Sequence, residues 1–106
     1  MSKSQIKEEY LDKLADDRKV NRQLGKNLNK ARLKSKTPNG ELATFDWLSR
    51  ITTLHHVSIR RFEQGVSGMT VASLVRLKDA LGCSWGDLLE GCESEIVKAR
   101  KPCLRK

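Results

Sequence analysis

Apolar side chains recur in this chain at intervals of three or four residues, in short stretches that capping residues interrupt. Ile6, Tyr10 and Leu14 form one such stripe, and Leu24 and Leu28 begin a second. Side chains at this spacing fall on one face of an α-helix, whereas a half-buried strand needs alternating apolar and polar residues. No segment makes a credible strand. The chain is therefore predicted to fold as an all-α protein, and its 106 residues suffice for one domain.

Residues that start and stop helices divide the chain into an N-terminal helix and five further short helices. Thr44 and Thr70 can each cap a helix, and Ser84 forms a capping box with Asp87. Gly65 is well placed to end a helix. The predicted helical segments are about 4–16, 20–34, 44–51, 55–64, 70–81 and 84–90.

Two boundaries between these segments are of different kinds. Residues 16–19 are polar throughout, and the sequence allows either a break there or one long helix. At residues 35–40 a loop is predicted, because Pro38 disfavours helix at the residue before it and Asn39-Gly40 is a turn signal.

The predicted organisation is an N-terminal helical extension at 1–19, a helical domain at 20–91 and a basic tail at 92–106. A polar tail without periodicity is expected to fray. The predicted core consists of Leu28, Leu48, Ile59, Phe62, Leu74, Leu77, Leu81, Trp85 and Leu88.

Positive charge is concentrated in one segment. The chain has 21 Lys and Arg against 13 Asp and Glu, a net charge of +8. Residues 20–36 contain six of the bases and no acid, so they account for six of the eight net charges. Such patchiness favours an anionic partner, above all nucleic acid, over simple solubilising charge. A calmodulin-binding or membrane-surface helix would be similarly basic, but this segment lacks Trp and Phe.

Several protein classes are disfavoured. No run of 18 apolar residues is present, and the N-terminus lacks the apolar stretch of a secretory signal, so a cytoplasmic protein is expected. Cys83, Cys92 and Cys103 are odd in number and form no CxxC pair, so we expect reduced thiols, with Cys83 a small core residue. His55 and His56 are adjacent, and neighbours in a helix diverge by about 100°, which argues against a shared metal.

Catalytic signals are equally weak. The sequence has no Gly-rich phosphate loop, no GxSxG and no HExxH. Asp16 and Asp17 are paired carboxylates, but they lie in a helix with the composition of a solvated one. The chain is therefore expected not to be an enzyme and to need no cofactor.

Residues 44–65, TFDWLSRITTLHHVSIRRFEQG, describe two short helices joined by a tight turn. IRRFEQG at 59–65 and LVRLKDALGCSWGDLLEG at 74–91 resemble the lambda-repressor-like (Xre) family of bacterial and phage DNA-binding domains. The resemblance runs from about Leu24 to Gly91. It implies a five-helix lambda-repressor-like DNA-binding domain, here with an additional N-terminal helix.

The resemblance also implies which residues meet DNA. A recognition helix at 55–64 would enter the major groove with its N-terminal end first. Arg61 would pair with guanine and Val57 would touch a thymine methyl group. The start of the preceding helix would place its amides on a phosphate. The implied DNA-binding residues are Thr44, Phe45, His55, His56, Val57, Ser58, Arg60, Arg61 and Gln64.

The resemblance further implies an ion pair between Arg32 and Glu63, partly buried, that fixes the motif to the first helix of the domain. In three places the sequence departs from the family. Phe45 stands where glutamine is common, so the phosphate contact there would come from the backbone alone. Thr53 stands where glycine is usual, and a β-branched residue disfavours positive φ, so the sequence also allows a wider turn with the recognition helix starting at Leu54. The segment after Arg32 is about five residues longer than usual, and with Lys34 and Lys36 it is expected to form a basic flap that reaches the DNA backbone.

The function expected from these observations is that of a sequence-specific regulator of transcription that binds double-stranded DNA. A domain this small is expected to bind a near-palindrome as a homodimer. The stripe of Ile6, Tyr10 and Leu14 would form the dimer contact or, equally, cover the core of its own chain. The alternative function is an antitoxin or adaptor that binds a second protein through residues 1–19 or 92–106.

Overall fold

One continuous helix opens the chain. The structure is a computed structural model that describes the backbone of residues 3–95 and the side chains of residues 10, 11 and 13–95. Helix α1 (Lys3–Lys34) runs through the polar residues 16–19 without a break. That segment has no Gly or Pro to interrupt it, and Lys13 donates to Asp17 one turn away at 3.0 Å. Residues 16–19 therefore belong to one long helix and do not form a break.

Four shorter helices follow, and each is preceded by an N-cap residue. They are α2 (Phe45–Thr52), α3 (His56–Gln64), α4 (Val71–Leu81) and α5 (Trp85–Leu89), followed by a 3-10 turn at Glu93–Glu95. Thr44 and Thr70 cap α2 and α4, and Ser84 with Asp87 forms the expected capping box at α5. Residues 3–95 contain no β-strand beyond an isolated bridge, so the all-α prediction is confirmed.

The core lies where α1 crosses the four shorter helices. Leu48, Ile59, Leu77 and Leu88 are almost wholly inaccessible to solvent. Helix α1 contributes to this core only from Val20 onward. Tyr10, in contrast, is 60 % exposed, so it does not cover the core of its own chain.

Two parts of the predicted core are corrected. Trp85 is 40 % exposed, because it is the first residue of α5 and its ring lies beneath the ammonium group of Lys78, 5.3 Å away. Leu74 is only partly buried. The other predicted members are buried, and three further residues join them, namely Leu24, Ala43 and Cys92.

Both cysteines within the described residues are free thiols. Cys92 is buried, and Cys83 is partly buried against the core. Burial raises the pKa of both thiols, because the thiolate loses its hydration, so both are protonated at neutral pH. Cys103 lies outside the described residues.

The extra segment between α1 and α2 forms a small hairpin. Lys36 and Leu42 form an antiparallel bridge, and the amide of Gly40 donates to the carbonyl of Thr37 at 2.8 Å. Gly40 has φ of +80°, a conformation that suits glycine. The predicted loop at 35–40 is therefore an ordered turn.

Despite its length, α1 is too polar to cross a bilayer, and the same holds for every other helix of residues 3–95.

Candidate nucleic-acid interface

Helix α2 begins at a capped end that carries an aromatic side chain. The hydroxyl of Thr44 accepts from the amide of Trp47 at 3.1 Å, while other first-turn amides have no partner inside the helix. Phe45 packs partly against the core, and its ring lies 4.3 Å from the guanidinium of Arg32 and 5.3 Å from that of Arg60. Phe45 therefore connects the start of α2 to α1 and α3.

The turn between α2 and α3 is tight, so the wider alternative is not the one formed. Thr53 takes the left-handed conformation itself, with φ of 61° and ψ of 13°. Hydrogen bonds on either side hold it there: Ser49 donates to the carbonyl of Leu54 at 2.6 Å, and the amide of Leu54 donates to the hydroxyl of Thr52 at 3.3 Å. Helix α3 consequently begins at His56, not at Leu54.

His55 is the N-cap of α3. Its Nδ1 accepts from the amide of Val57 at 3.2 Å, and its ring stacks on that of His56 at a centroid distance of 4.6 Å. Because Nδ1 accepts, a neutral His55 carries its proton on Nε2, which is left as a donor. Among residues 10, 11 and 13–95, no group of three or more His, Cys, Asp or Glu is placed to bind a metal.

Helix α3 has one buried side and one exposed side. Ile59 and Phe62 face the core at 2 % and 9 % exposure. Ser58 and His56 are half-buried at the margin of the helix. The fully exposed side, which we call the α3 outer face, consists of Val57, Arg60, Arg61 and Gln64. These four residues and the start of α2 include most of the DNA-binding residues implied by the resemblance.

Arg32 and Glu63, the two residues of the expected ion pair, lie together in the structure. Arg32 Nε lies 2.7 Å from Glu63 Oε2, and the two side chains are only 12 % and 7 % exposed. Asn29 donates to the other carboxylate oxygen of Glu63 at 2.8 Å, and Arg32 also donates to the carbonyl of Ala43 at 3.3 Å. The pair therefore joins α1, α3 and the entry to α2, with both carboxylate oxygens occupied.

Two further residues that fix α3 and α5 to α1 were not identified from the sequence. A Cβ at Gly25 would lie 2.5 Å from the carbonyl oxygens of Phe62 and Glu63, so the backbones of α1 and α3 touch there. Asn27 is buried and donates to the carbonyls of Leu88 and Glu90 at 2.6 and 2.9 Å. A glycine inside a helical pattern is a recognisable signal of close packing. A polar residue beside an apolar stripe is a weaker one.

The basic segment of the sequence lies on α1 and the hairpin, and not on α2 or α3. Of its six bases, Arg32 pairs with Glu63 of α3, and Arg22 lies against Gly65 at the end of α3. Lys26, Lys30 and Lys34 are exposed on α1, and Lys36 is exposed in the hairpin. Lys34 and Lys36 line a cavity of about 370 Å³ against the turn between α4 and α5.

The chain matches no model of a known protein family, and no curated protein is significantly similar to it.

Proposed function

We propose that this protein is a sequence-specific regulator of transcription that binds double-stranded DNA, with α3 in the major groove. The observation that carries the proposal is the contrast between the two sides of α3. Its inner side is fixed to α1 by the buried pair of Arg32 and Glu63, while its outer face is exposed and carries two arginines. A rigid helix with an accessible basic face is what groove recognition needs.

Base reading is assigned to the N-terminal half and the middle of the α3 outer face. Arg61 can donate two hydrogen bonds to the O6 and N7 atoms of one guanine, which is the commonest specific contact. Val57 is 38 % exposed and offers methyl groups to a thymine. His56 and His55 stand at the leading end of the helix, where Nε2 of His55 is available to donate.

Phosphate contacts are assigned to the margins of this surface. The first-turn amides of α2, next to Thr44 and Phe45, favour an anion because of the helix dipole. Arg60 is the member of the α3 outer face nearest to the start of α2, with its guanidinium 5.3 Å from the ring of Phe45. Ser58 and Gln64 complete the set as neutral hydrogen-bonding groups.

A homodimer on a near-palindromic site is part of the proposal. One α3 offers too few base contacts for high specificity, and a two-fold dimer doubles them. The projecting part of α1 supports this arrangement, since Tyr10 and Leu11 are 60 % and 53 % exposed. Two apolar side chains in adjacent positions on an exposed helix favour a protein partner there.

The test is selection of duplexes from a randomised pool, followed by titration of variants on the selected sequence. Arg61→Ala should weaken binding by about 5- to 150-fold and reduce the preference at one base pair. Arg76→Ala is the control, because Arg76 is an exposed arginine on α4. It should leave the affinity and the preference at that base pair unchanged. Enrichment of no sequence, or equal effects of the two variants, would contradict the proposal.

The second candidate function is an antitoxin or adaptor that binds another protein. The exposed Tyr10 and Leu11 favour it as much as they favour a homodimer. Residues 92–95 of the tail are described and contain the buried Cys92, whereas 96–106 lie outside the described residues. Co-purification with a second chain encoded beside this one, abolished in a Tyr10→Ser/Leu11→Ser variant, would establish this function.

A further inference from the structure

A second charged surface runs along α1, on a different helix from the α3 outer face. Its members are basic, exposed and confined to one side of the helix, and we call them the α1 cationic face. With about 100° per residue, they fall within an arc of about 120°. From first to last they extend over about 22 Å of helix. They are Lys19, Arg22, Lys26, Lys30 and Lys34.

This face lies on the side of α1 away from the core, and one of its edges borders α3. Leu24 and Leu28 mark the side of α1 that is buried in the core. Gly25 and Arg32 mark the side that contacts α3. By the helix geometry, the centre of the α1 cationic face lies about 110° around α1 from the line of contact with α3. Arg22 lies at the edge nearest α3, against Gly65, whereas Lys30 and Lys34 extend toward the far side of α1.

The described side chains give this face little neutralisation. Two ion pairs lie among them, Lys13 with Asp17 and Arg32 with Glu63, and neither includes a member of the face. Residues 18–34 contain no acid. A shallow cavity brings Glu63 close to Lys26 and Lys30, but its carboxylate is already occupied by Arg32 and Asn29.

The remaining nearby carboxylates belong to α5 and its end. Asp87 and Glu90 line the cavity that Lys30 and Lys34 also line. Asp87 Oδ2 accepts from the backbone amide of Ser84 in the capping box, so this carboxylate has a structural role of its own. Two carboxylates at one edge leave the five cations with a net excess along the whole face.

We propose that the α1 cationic face is a second DNA-binding surface, which holds the phosphate backbone of a duplex irrespective of its sequence. This proposal builds on the proposed function, since it gives the same protein a second contact with the same polymer. Lysines are suited to this contact because they are mobile point charges that need no fixed geometry. Lys26, Lys30 and Lys34 rise by about 6 Å per step, which makes a regular row of charges.

The composition of the face favours a nucleic acid over a membrane. A helix that lies on a lipid surface needs a broad apolar side to enter the bilayer. On α1 the apolar side of residues 20–34 is buried in the core, and Leu33 is the exposed apolar side chain within that segment. Counterion release from phosphates, which needs only charge, is therefore the driving force that this face offers.

The test compares two variants with the same reduction in net charge. The first variant replaces Lys26, Lys30 and Lys34 by glutamine. The control variant also introduces three glutamines, at exposed positions outside the α1 cationic face, namely Lys13, Arg50 and Arg76. Binding of each full-length variant to one duplex is measured over a range of salt concentrations. The first variant should lower the slope of log K against log salt by about 2.7, or about 0.9 for each phosphate that is no longer neutralised. The control should leave it unchanged.

The same titration on a scrambled duplex separates this inference from the proposed function. Removal of the α1 lysines should weaken binding to both duplexes by the same factor, whereas Arg61→Ala should reduce the preference between them. If Arg61→Ala has no effect while the lysine variant lowers the slope, the proposed function fails and the second surface stands. Equal slopes for the lysine variant and the control would overturn the proposal of a second DNA-binding surface. So would tighter binding of the wild-type protein to phosphatidylserine vesicles than to duplex.

Discussion

Positive charge lies on two sides of α1, where it is paired and largely buried on one side and exposed to solvent on the other. Arg32 lies on the side that contacts α3, where it is 12 % exposed and its Nε is 2.7 Å from a carboxylate oxygen. Lys30, two residues earlier, is exposed on the α1 cationic face and has no ion pair within residues 3–95. About 160° of helix rotation separates a charge that fixes the fold from one that is available to a partner.

Net charge by itself therefore does not identify a functional surface. A buried charge costs free energy unless its partners satisfy it, and Arg32 has a carboxylate, a carbonyl and an aromatic ring around it. Its planar guanidinium suits that fixed geometry, whereas lysine suits a solvated surface. Three substitutions test this contrast, in order of decreasing effect on stability.

The largest effect is expected from Glu63→Ala. Removing one partner of a buried pair leaves Arg32 charged and uncompensated, which should lower the free energy of unfolding by about 3–5 kcal/mol. Urea unfolding followed by circular dichroism measures it. Asp17→Ala removes the carboxylate of an exposed pair and should cost less than about 1 kcal/mol. Similar destabilisation in both variants would contradict the contrast between buried and exposed pairs.

A smaller destabilisation is expected from Gly25→Ala, on the same side of α1. The added methyl group would lie 2.5 Å from two backbone carbonyl oxygens of α3, so the helices must separate. Overpacking costs about 1–3 kcal/mol, and the better helix propensity of alanine offsets up to about 1 kcal/mol of it. Thermal unfolding should therefore show a net destabilisation. At Gly86 in α5 the nearest atom is 3.6 Å away, so Gly86→Ala should not destabilise.

The smallest effect on stability is expected from Lys30→Ala, on the α1 cationic face. An exposed lysine without an ion pair contributes little to folding, so the free energy of unfolding should change by less than about 0.5 kcal/mol. The salt dependence of DNA binding should nevertheless fall, because one fewer phosphate is neutralised. A destabilisation comparable with that of Gly25→Ala would show that Lys30 is structural.

The local signals in the sequence predicted the helices well. Thr44, Thr70 and the pair of Ser84 and Asp87 cap their helices through contacts within four residues, so the sequence contains the whole interaction. The apolar stripe likewise indicates which side of α3 is buried. On α4 it holds for Leu77 and Leu81, whereas Leu74 is partly buried and Val71 is 75 % exposed. Trp85 shows the limit of this reasoning, because size and hydrophobicity favour burial but its place at the start of α5 exposes it.

Features that no residue type marks in the sequence were harder to predict. Thr53 adopts a conformation that β-branched residues avoid, and it does so because hydrogen bonds of Ser49 and Thr52 define the turn around it. The close backbone contact between α1 and α3 at Gly25 depends on how the two helices pack, which the sequence around Gly25 does not specify. Of the candidate site, Arg32 and Glu63 were paired through a resemblance and not through local spacing, since 31 residues separate them.

The continuity of α1 has a mechanical consequence. Tyr10 stands about 15 Å from Val20, where the helix enters the core, and an unbroken helix has no hinge between them. Any partner that binds the exposed end of α1 is therefore held in a fixed orientation relative to the helical domain. In a pair of copies joined through that end, the rigid arm would set the separation and tilt of the two α3 helices, and hence the spacing of the half-sites they can reach.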